Sequence, residues 1–254
     1  MNLSQDREYA ALRAGLQHPV GNALSLVARS SLAYKPEGYS GFTSDSRLAR
    51  FNDERIWANE IGVTFSPPNS RFGGSLLAFW NRISDYQFER TVPNSTDFVV
   101  VNADEVITQG FEAKFMWNPV ERVWWDFQAG YTDATFDNHR DASGASVKGR
   151  RVPFVPTSTL RTGVTVDLGH GFTANASYAA IGRTYFDERN SALFAQKSYG
   201  IVNAQLRYRY HRYTVTLYGQ NLFEEDYYQF INPEIFAGSP GAPLRYGVRV
   251  SFEY

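Results

Sequence analysis

Tyr246-Gly247-Val248-Arg249-Val250-Ser251-Phe252-Glu253-Tyr254, the last nine residues of a 254-residue chain, alternate large apolar side chains with small or charged ones. Successive side chains of a strand point to opposite faces. Tyr246, Val248, Val250, Phe252 and Tyr254 therefore share one face, while Arg245, Gly247, Arg249, Ser251 and Glu253 share the other. One face suits lipid and the other suits water. A one-residue slip would carry Arg249 into hydrocarbon at about 2–4 kcal/mol near the midplane, so a membrane strand of this sequence has a fixed orientation. A soluble edge strand shows the same alternation, but it has no reason to end on an aromatic.

The rest of the composition fits such a wall. Aromatics make up 16% of the chain, with 16 Tyr, 19 Phe and 5 Trp, yet no apolar run approaches the roughly 18 residues of a spanning helix. Alternation hides the lipid-facing half of each strand of a membrane barrel inside a polar average. A secreted, aromatic-rich binding sandwich shares that composition. Formal net charge is −1 with scattered Lys and Arg, which excludes the basic footprint of a nucleic-acid binder. Zero Cys removes disulfides, thiolate metal sites and cysteine nucleophiles together. The start, Met1-Asn2-Leu3-Ser4-Gln5-Asp6-Arg7-Glu8, has neither the basic nor the apolar region of a secretory signal, so a barrel reading expects the true N-terminus upstream.

Alternation set against turn residues predicts eleven strands, at about 8–16, 23–34, 56–65, 71–85, 105–117, 123–135, 158–168, 172–184, 199–209, 213–221 and 244–254. Most are near the roughly 9–11 residues that cross a bilayer at a tilt. Their connections alternate between short turns (17–22, 66–70, 118–122, 169–171 and 210–212) and long loops (35–55, 86–104, 136–157, 185–198 and 222–243). This is the up-and-down pattern of a bacterial barrel, and a Greek-key sandwich should not keep it through ten connections. Trp117 and Trp125 flank one short turn, as an interfacial girdle requires. The strand at 71–85 is less clean, with Leu76, Leu77, Phe79 and Trp80 falling on both faces.

Five stretches, in order, carry a family resemblance: 34–39 (YKPEGY), 54–62 (ERIWANEIG), 107–113 (ITQGFEA), 221–228 (NLFEEDYY) and 243–254 (PLRYGVRVSFEY). With them, the whole of 1–254 resembles the C-terminal part of the β-barrel of a TonB-dependent outer-membrane receptor, and the aromatic terminus resembles the signal by which outer-membrane barrels are recognised for insertion. The resemblance implies an all-β, antiparallel transmembrane barrel of 22 strands, plugged by an N-terminal domain, in the outer membrane of a Gram-negative bacterium. It implies import of a scarce small-molecule ligand such as an iron chelate. The expected partners are outer-membrane lipid, the barrel-assembly machinery, and the TonB system through the plug. The plug and the N-terminal strands are missing from this sequence, so the chain alone is not expected to transport. Eleven antiparallel strands leave the first and last running the same way, and an up-and-down barrel with an antiparallel seam needs an even number. An open half-barrel with free edges follows.

No catalytic, cofactor or metal site is read. His18, His170 and His211 fall in short turns and His139 in a long loop, which gives four solvated histidines rather than a metal centre. Glu224, Glu225 and Asp226 read as a solvated acidic loop without the spacing of a calcium site. Gly73-Gly74 has no following helix for a phosphate, and Asp85 with Glu89 or Asp104 with Glu105 are neighbours only in sequence. Candidate ligand contacts lie toward the long-loop side: Tyr39 and Phe42, Trp80 and Arg82, Arg183 and Tyr185, and Tyr227, Tyr228 and Phe230. Aromatics stack on flat chelates and Arg pairs with anions. Tyr246, Val248, Val250, Phe252 and Tyr254 are the candidate assembly signal. Two rivals stay open at this point: a self-contained small barrel serving as an adhesin or structural protein, and the secreted sandwich.

Overall fold

A computed structural model describes residues 8–43, 45–92 and 95–253. One antiparallel sheet contains β1 (Leu12–Val20), β2 (Leu24–Lys35), β3 (Glu54–Phe65), β4 (Phe72–Thr91), β5 (Phe98–Trp117), β6 (Val123–Asn138), β7 (Ser158–Gly169), β8 (Phe172–Ile181), β9 (Tyr199–Tyr210), β10 (Tyr213–Gln220) and β11 (Arg245–Phe252). Each strand pairs with its chain neighbour, and no ladder joins β1 to β11 among the described residues. One continuous eleven-stranded meander is not a two-sheet sandwich, and its open seam is not a small closed barrel. Tyr254 lies outside the described residues.

All five short connections contain a residue in the left-handed region: Gly21, Asn69, Arg122, His170 and His211, with φ of 66°, 55°, 68°, 52° and 49°. Tight reversals between right-twisted strands favour such a residue, which Gly and Asn adopt most readily and which His and Arg supply in three of these turns. The first strand runs later than the alternation predicts, Leu12–Val20 rather than 8–16, and its later end takes in His18, expected in a turn.

Register fixes the faces. Val250 lies opposite Val215, Val248 opposite Leu217 and Phe252 opposite Tyr213, so the apolar face of β11 continues on β10. Ladder by ladder the same face takes in Leu206, Ala176, Val164, Phe127, Ala113, Leu76, Val63, Leu26 and Leu16. Leu16, Ile61, Leu76, Leu217 and Val248 are all exposed, at half their surface or more. The ambiguity in β4 resolves through its partners: Leu76, Ala78 and Trp80 share the outer face, while Leu77 and Phe79 turn inward beside Glu112 and Gly110.

Two aromatic belts bound that face. At the short-turn side Trp117 lies opposite both Phe72 and Trp125, with Trp117–Trp125 centroids 5.8 Å apart; Phe172–Tyr208 and Tyr213–Phe252 continue the row. Toward the long loops Trp57 meets Trp80 edge-on at 5.6 Å and Phe111 stacks on Tyr131. Trp57 and Phe65 are eight residues apart on β3. At roughly 3.3 Å per residue and a tilt of roughly 40°, the belts are about 20 Å apart in height, close to the apolar band of an outer-membrane barrel.

Glycines inside two of the quoted motifs have a steric reason to be there. A Cβ on Gly110 would press into the Tyr131 carbonyl, and one on Gly62 into the Leu76 carbonyl.

The buried core sits above this band. β4 and β5 continue to Thr91 and back from Phe98, beyond the predicted ends at 85 and 105. Asp85 is left-handed, with φ of 55°, and resets the alternation so that Tyr86 and Phe88 join Ile83 on one side. With Ala103, Val106, Ala134, Phe136, Val147 and Val152 they form the one buried apolar cluster described. A reading that demands unbroken alternation stops at Asp85.

Candidate functional site

The long loops are structured rather than open coil. Residues 38–39 pair with 50–51, 184–185 with 195–196, and 228–232 with 237–240, giving three small sheets among the described residues. The first loop is tied to the β4–β5 extension. The buried Gln87 donates through Nε2 to the Pro36 and Asn52 carbonyls at 2.8 Å each, and its N–H donates to Glu54 at 2.7 Å. Asn102 exchanges two hydrogen bonds with the Asn52 backbone.

The third and fourth long loops are joined by charge and amide contacts. Arg90 forms a bidentate pair with Glu188, at 2.5 and 2.9 Å, and His139 Nε2 lies 3.2 Å from the same carboxylate. His139 is 7% exposed, its ring edge-on to Phe88 and against Phe136, so the expectation of a solvated histidine is corrected here. Packing of the loop at 139–157 into the core, invisible in the local sequence, is the cause. Burial opposes ionisation of Glu188, but hydrogen bonds from His139 and Arg90 outweigh it and lower its pKa. Asp141 is held low in the same way, with Ser143 and Arg189 overcoming its desolvation. Asn190 clasps the Arg151 backbone from both sides, at 2.6 and 2.9 Å.

These loops enclose a cleft of about 480 Å³, within the range of small-molecule sites. Its walls are the rings of Phe88, Phe98, Phe154, Phe186, Phe194 and Phe230, and its charged lining is Glu89, Arg90, Asp141, Asp187, Glu188, Arg189 and Glu234. Phe154 stacks on Phe230 at 5.9 Å and contacts Phe186 at 5.5 Å; Phe230 also meets Phe98 at 6.0 Å. Nothing in local spacing announces this gathering, because the rings come from five separate segments. Phe and Pro clustered inside loops were the available signal.

Of the sequence candidates, only Phe230 lines the cleft. Tyr185 and Arg183 do not line it: the Tyr185 carbonyl accepts from the N–H of the lining Phe154, and the Arg183 carbonyl accepts from Thr157. Tyr227 stacks on Tyr199 at 4.3 Å and Tyr228 donates its N–H to Gln196, both holding the last loop. Phe42 is 80% exposed, its carbonyl accepting from Phe98, and Tyr39 sits in the first small sheet. Trp80 and Arg82 stand on the outer face, Trp80 in the upper belt and Arg82 paired with Glu105 at 2.8 Å. Asn221, at the head of the NLFEEDYY stretch, is 3% exposed and holds Glu225 and the Ala242 carbonyl, so it closes the base of the final loop.

A family model described as TonB dependent receptor-like, beta-barrel, matches residues 4–222. The chain belongs to the TonB-dependent receptor β-barrel family. Solved structures of the same fold include the ferric yersiniabactin uptake receptor FyuA of Yersinia pestis, at 21% identity and a TM-score of 0.78, covering 96% of this chain and 37% of that one. The siderophore receptor PiuA of Acinetobacter baumannii matches at 17% identity and 0.75, covering 95% and 35%. The ferric-catecholate import receptor Fiu of E. coli matches at 17% and 0.72, covering 95% and 34%. The chain thus spans about a third of the length of these receptors. As a member of this family it resides in the outer membrane of Gram-negative cells, with the apolar outer face in lipid.

Proposed function

We propose that residues 1–254 are the C-terminal part of an outer-membrane importer of an iron chelate or similar scarce ligand, and that its long loops receive the ligand from outside the cell. The observation that carries this reading is the ring-walled cleft at the long-loop end of a membrane-spanning sheet, in a chain of this family. Binding groups mounted on loops over a rigid wall are where specificity resides. In this reading β1 and β11 pair with barrel strands supplied from elsewhere in the receptor. A plug domain passes energy from TonB, and the chain acts as a transporter rather than an enzyme. Tyr246, Val248, Val250, Phe252 and the terminal Tyr254 present the assembly signal to the barrel-assembly machinery.

Exchanging loop 222–243 of the intact receptor for an unrelated loop tests the assignment of sides. Cellular uptake or binding of the iron chelate is expected to fall at least tenfold, because Phe230 and the wall it completes are lost. Exchanging 210–212 is expected to leave uptake within twofold. Equal losses from both exchanges would overturn the assignment.

A further inference from the structure

Resting on the reading above, we infer that the loop cleft selects by charge, accepting a flat, ring-bearing small molecule that is cationic or neutral and disfavouring an anionic one. Every aromatic ring that lines the cleft is Phe, so the rings supply π-faces and leave the hydrogen-bonding groups to the charged and hydroxyl side chains between them. A cation over such a face is attracted by the ring quadrupole.

The charged lining adds the sign. Two guanidinium groups stand against five carboxylates. Both cations are already committed: Arg90 to Glu188 and His139, and Arg189 to Asp141 and the Ser143 hydroxyl at 2.6 and 2.8 Å. Glu89 and Glu234 have no ion-pair partner among the described residues, and Asp187 accepts from the Ser191 backbone N–H. An arriving anion would meet these uncompensated carboxylates with no free guanidinium to receive it. Glu89 and Glu234 stand exposed at the mouth of the cleft, so their field reaches an arriving ligand through solvent and is screened by salt.

Three tricyclic fluorophores of matched shape test this with the intact receptor in detergent: N-methylacridinium (cation), N-methylacridone (neutral) and acridone-10-acetate (anion), followed by fluorescence anisotropy. The cation is expected to bind about tenfold or more tighter than the anion at low salt, with the gap narrowing as salt rises. Both Glu89 and Glu234 are exposed, so E89Q/E234Q keeps the fold; the variant is expected to close the gap at least threefold. Phe154→Ala and Phe230→Ala are expected to weaken the cation and the neutral fluorophore together. An anion bound as tightly as the cation, or a gap unmoved by E89Q/E234Q, would overturn the inference. So would binding of none of the three while chelate uptake persists, and that outcome leaves the import reading standing. Loss of all chelate uptake and binding in the unaltered receptor would instead remove the import reading itself.

Discussion

Val250→Arg is expected to lower the folded, membrane-inserted amount of the receptor severely, while Arg249→Val is expected to change it little. Val250 is 68% exposed, lies opposite Val215 and shares the outer face with Val248 and Leu217. An arginine there enters the apolar band two residues above the lower belt, at a cost between the roughly 0–1 kcal/mol of the interface and the roughly 2–4 kcal/mol of the midplane. Arg249 lies on the inner face with its guanidinium 5.7 Å from the Tyr218 ring centroid, a contact worth about 0.5–1 kcal/mol at an exposed site. Heat-modifiable migration of the two variants on a denaturing gel after outer-membrane extraction measures the difference. Equal loss from both would mean that the two faces of β11 are not distinguished by lipid.

Glu188→Ala is expected to release the loop layer without unfolding the membrane sheet. The substitution strands Arg90, whose side chain is 19% exposed, and removes the carboxylate from His139, at 8%. Breaking a buried pair by deleting one partner costs about 3–5 kcal/mol. Amide exchange in 139–157 and 182–198 should accelerate by two orders of magnitude or more, with 213–220 unaffected. Lys148→Ala serves as the contrast: its pair with Asp137 is exposed, at 68% and 47%, and such pairs contribute at most about 1 kcal/mol. The same contacts set a pH dependence. Glu188 and Asp141 have folded pKa values below their unfolded ones, so the stability they supply is complete above the ordinary carboxylate range and fades as pH falls through the folded values. Burial pushes Asp187 the other way, so its protonation on acidification partly offsets the loss. Loop protection factors, corrected for the intrinsic pH dependence of amide exchange, that stay flat between pH 7 and pH 3 would contradict this assignment.

Strand number, order and the open seam were legible because each depends on local alternation and on turn residues. The ends of β7 and β10 fall within one residue of expectation for that reason. What was hidden lies above the membrane. Asp85 breaks the alternation without ending the strand, so thirteen residues of hairpin extension, 86–91 and 98–104, with Phe88 and Arg90 among them, fall where alternation predicts a loop. Phe154 and Phe186 are adjacent only because the Phe154 N–H bonds to the Tyr185 carbonyl across two loops. Arg90 and Glu188, 98 residues apart, have no local signal that pairs them. Candidates chosen by residue type near strand tops therefore split three ways: Phe230 entered the cleft, Tyr227 became loop scaffolding, and Trp80 joined the lipid belt.

In the function proposed above, this sheet is a membrane wall with lipid on one face and an aqueous lumen on the other. Residues 1–254 contain no Cys, so single spin-labelled cysteines can be placed in turn at 246–252 of the receptor in outer-membrane lipid, with any Cys elsewhere in the receptor replaced by Ser. Collisional accessibility to oxygen and to a water-soluble nickel chelate reads the environment of each. A strict period of two is expected: oxygen contact high at 246, 248, 250 and 252, and nickel contact high at 247, 249 and 251. Seven positions that all favour the nickel chelate, or that show no alternation, would contradict it.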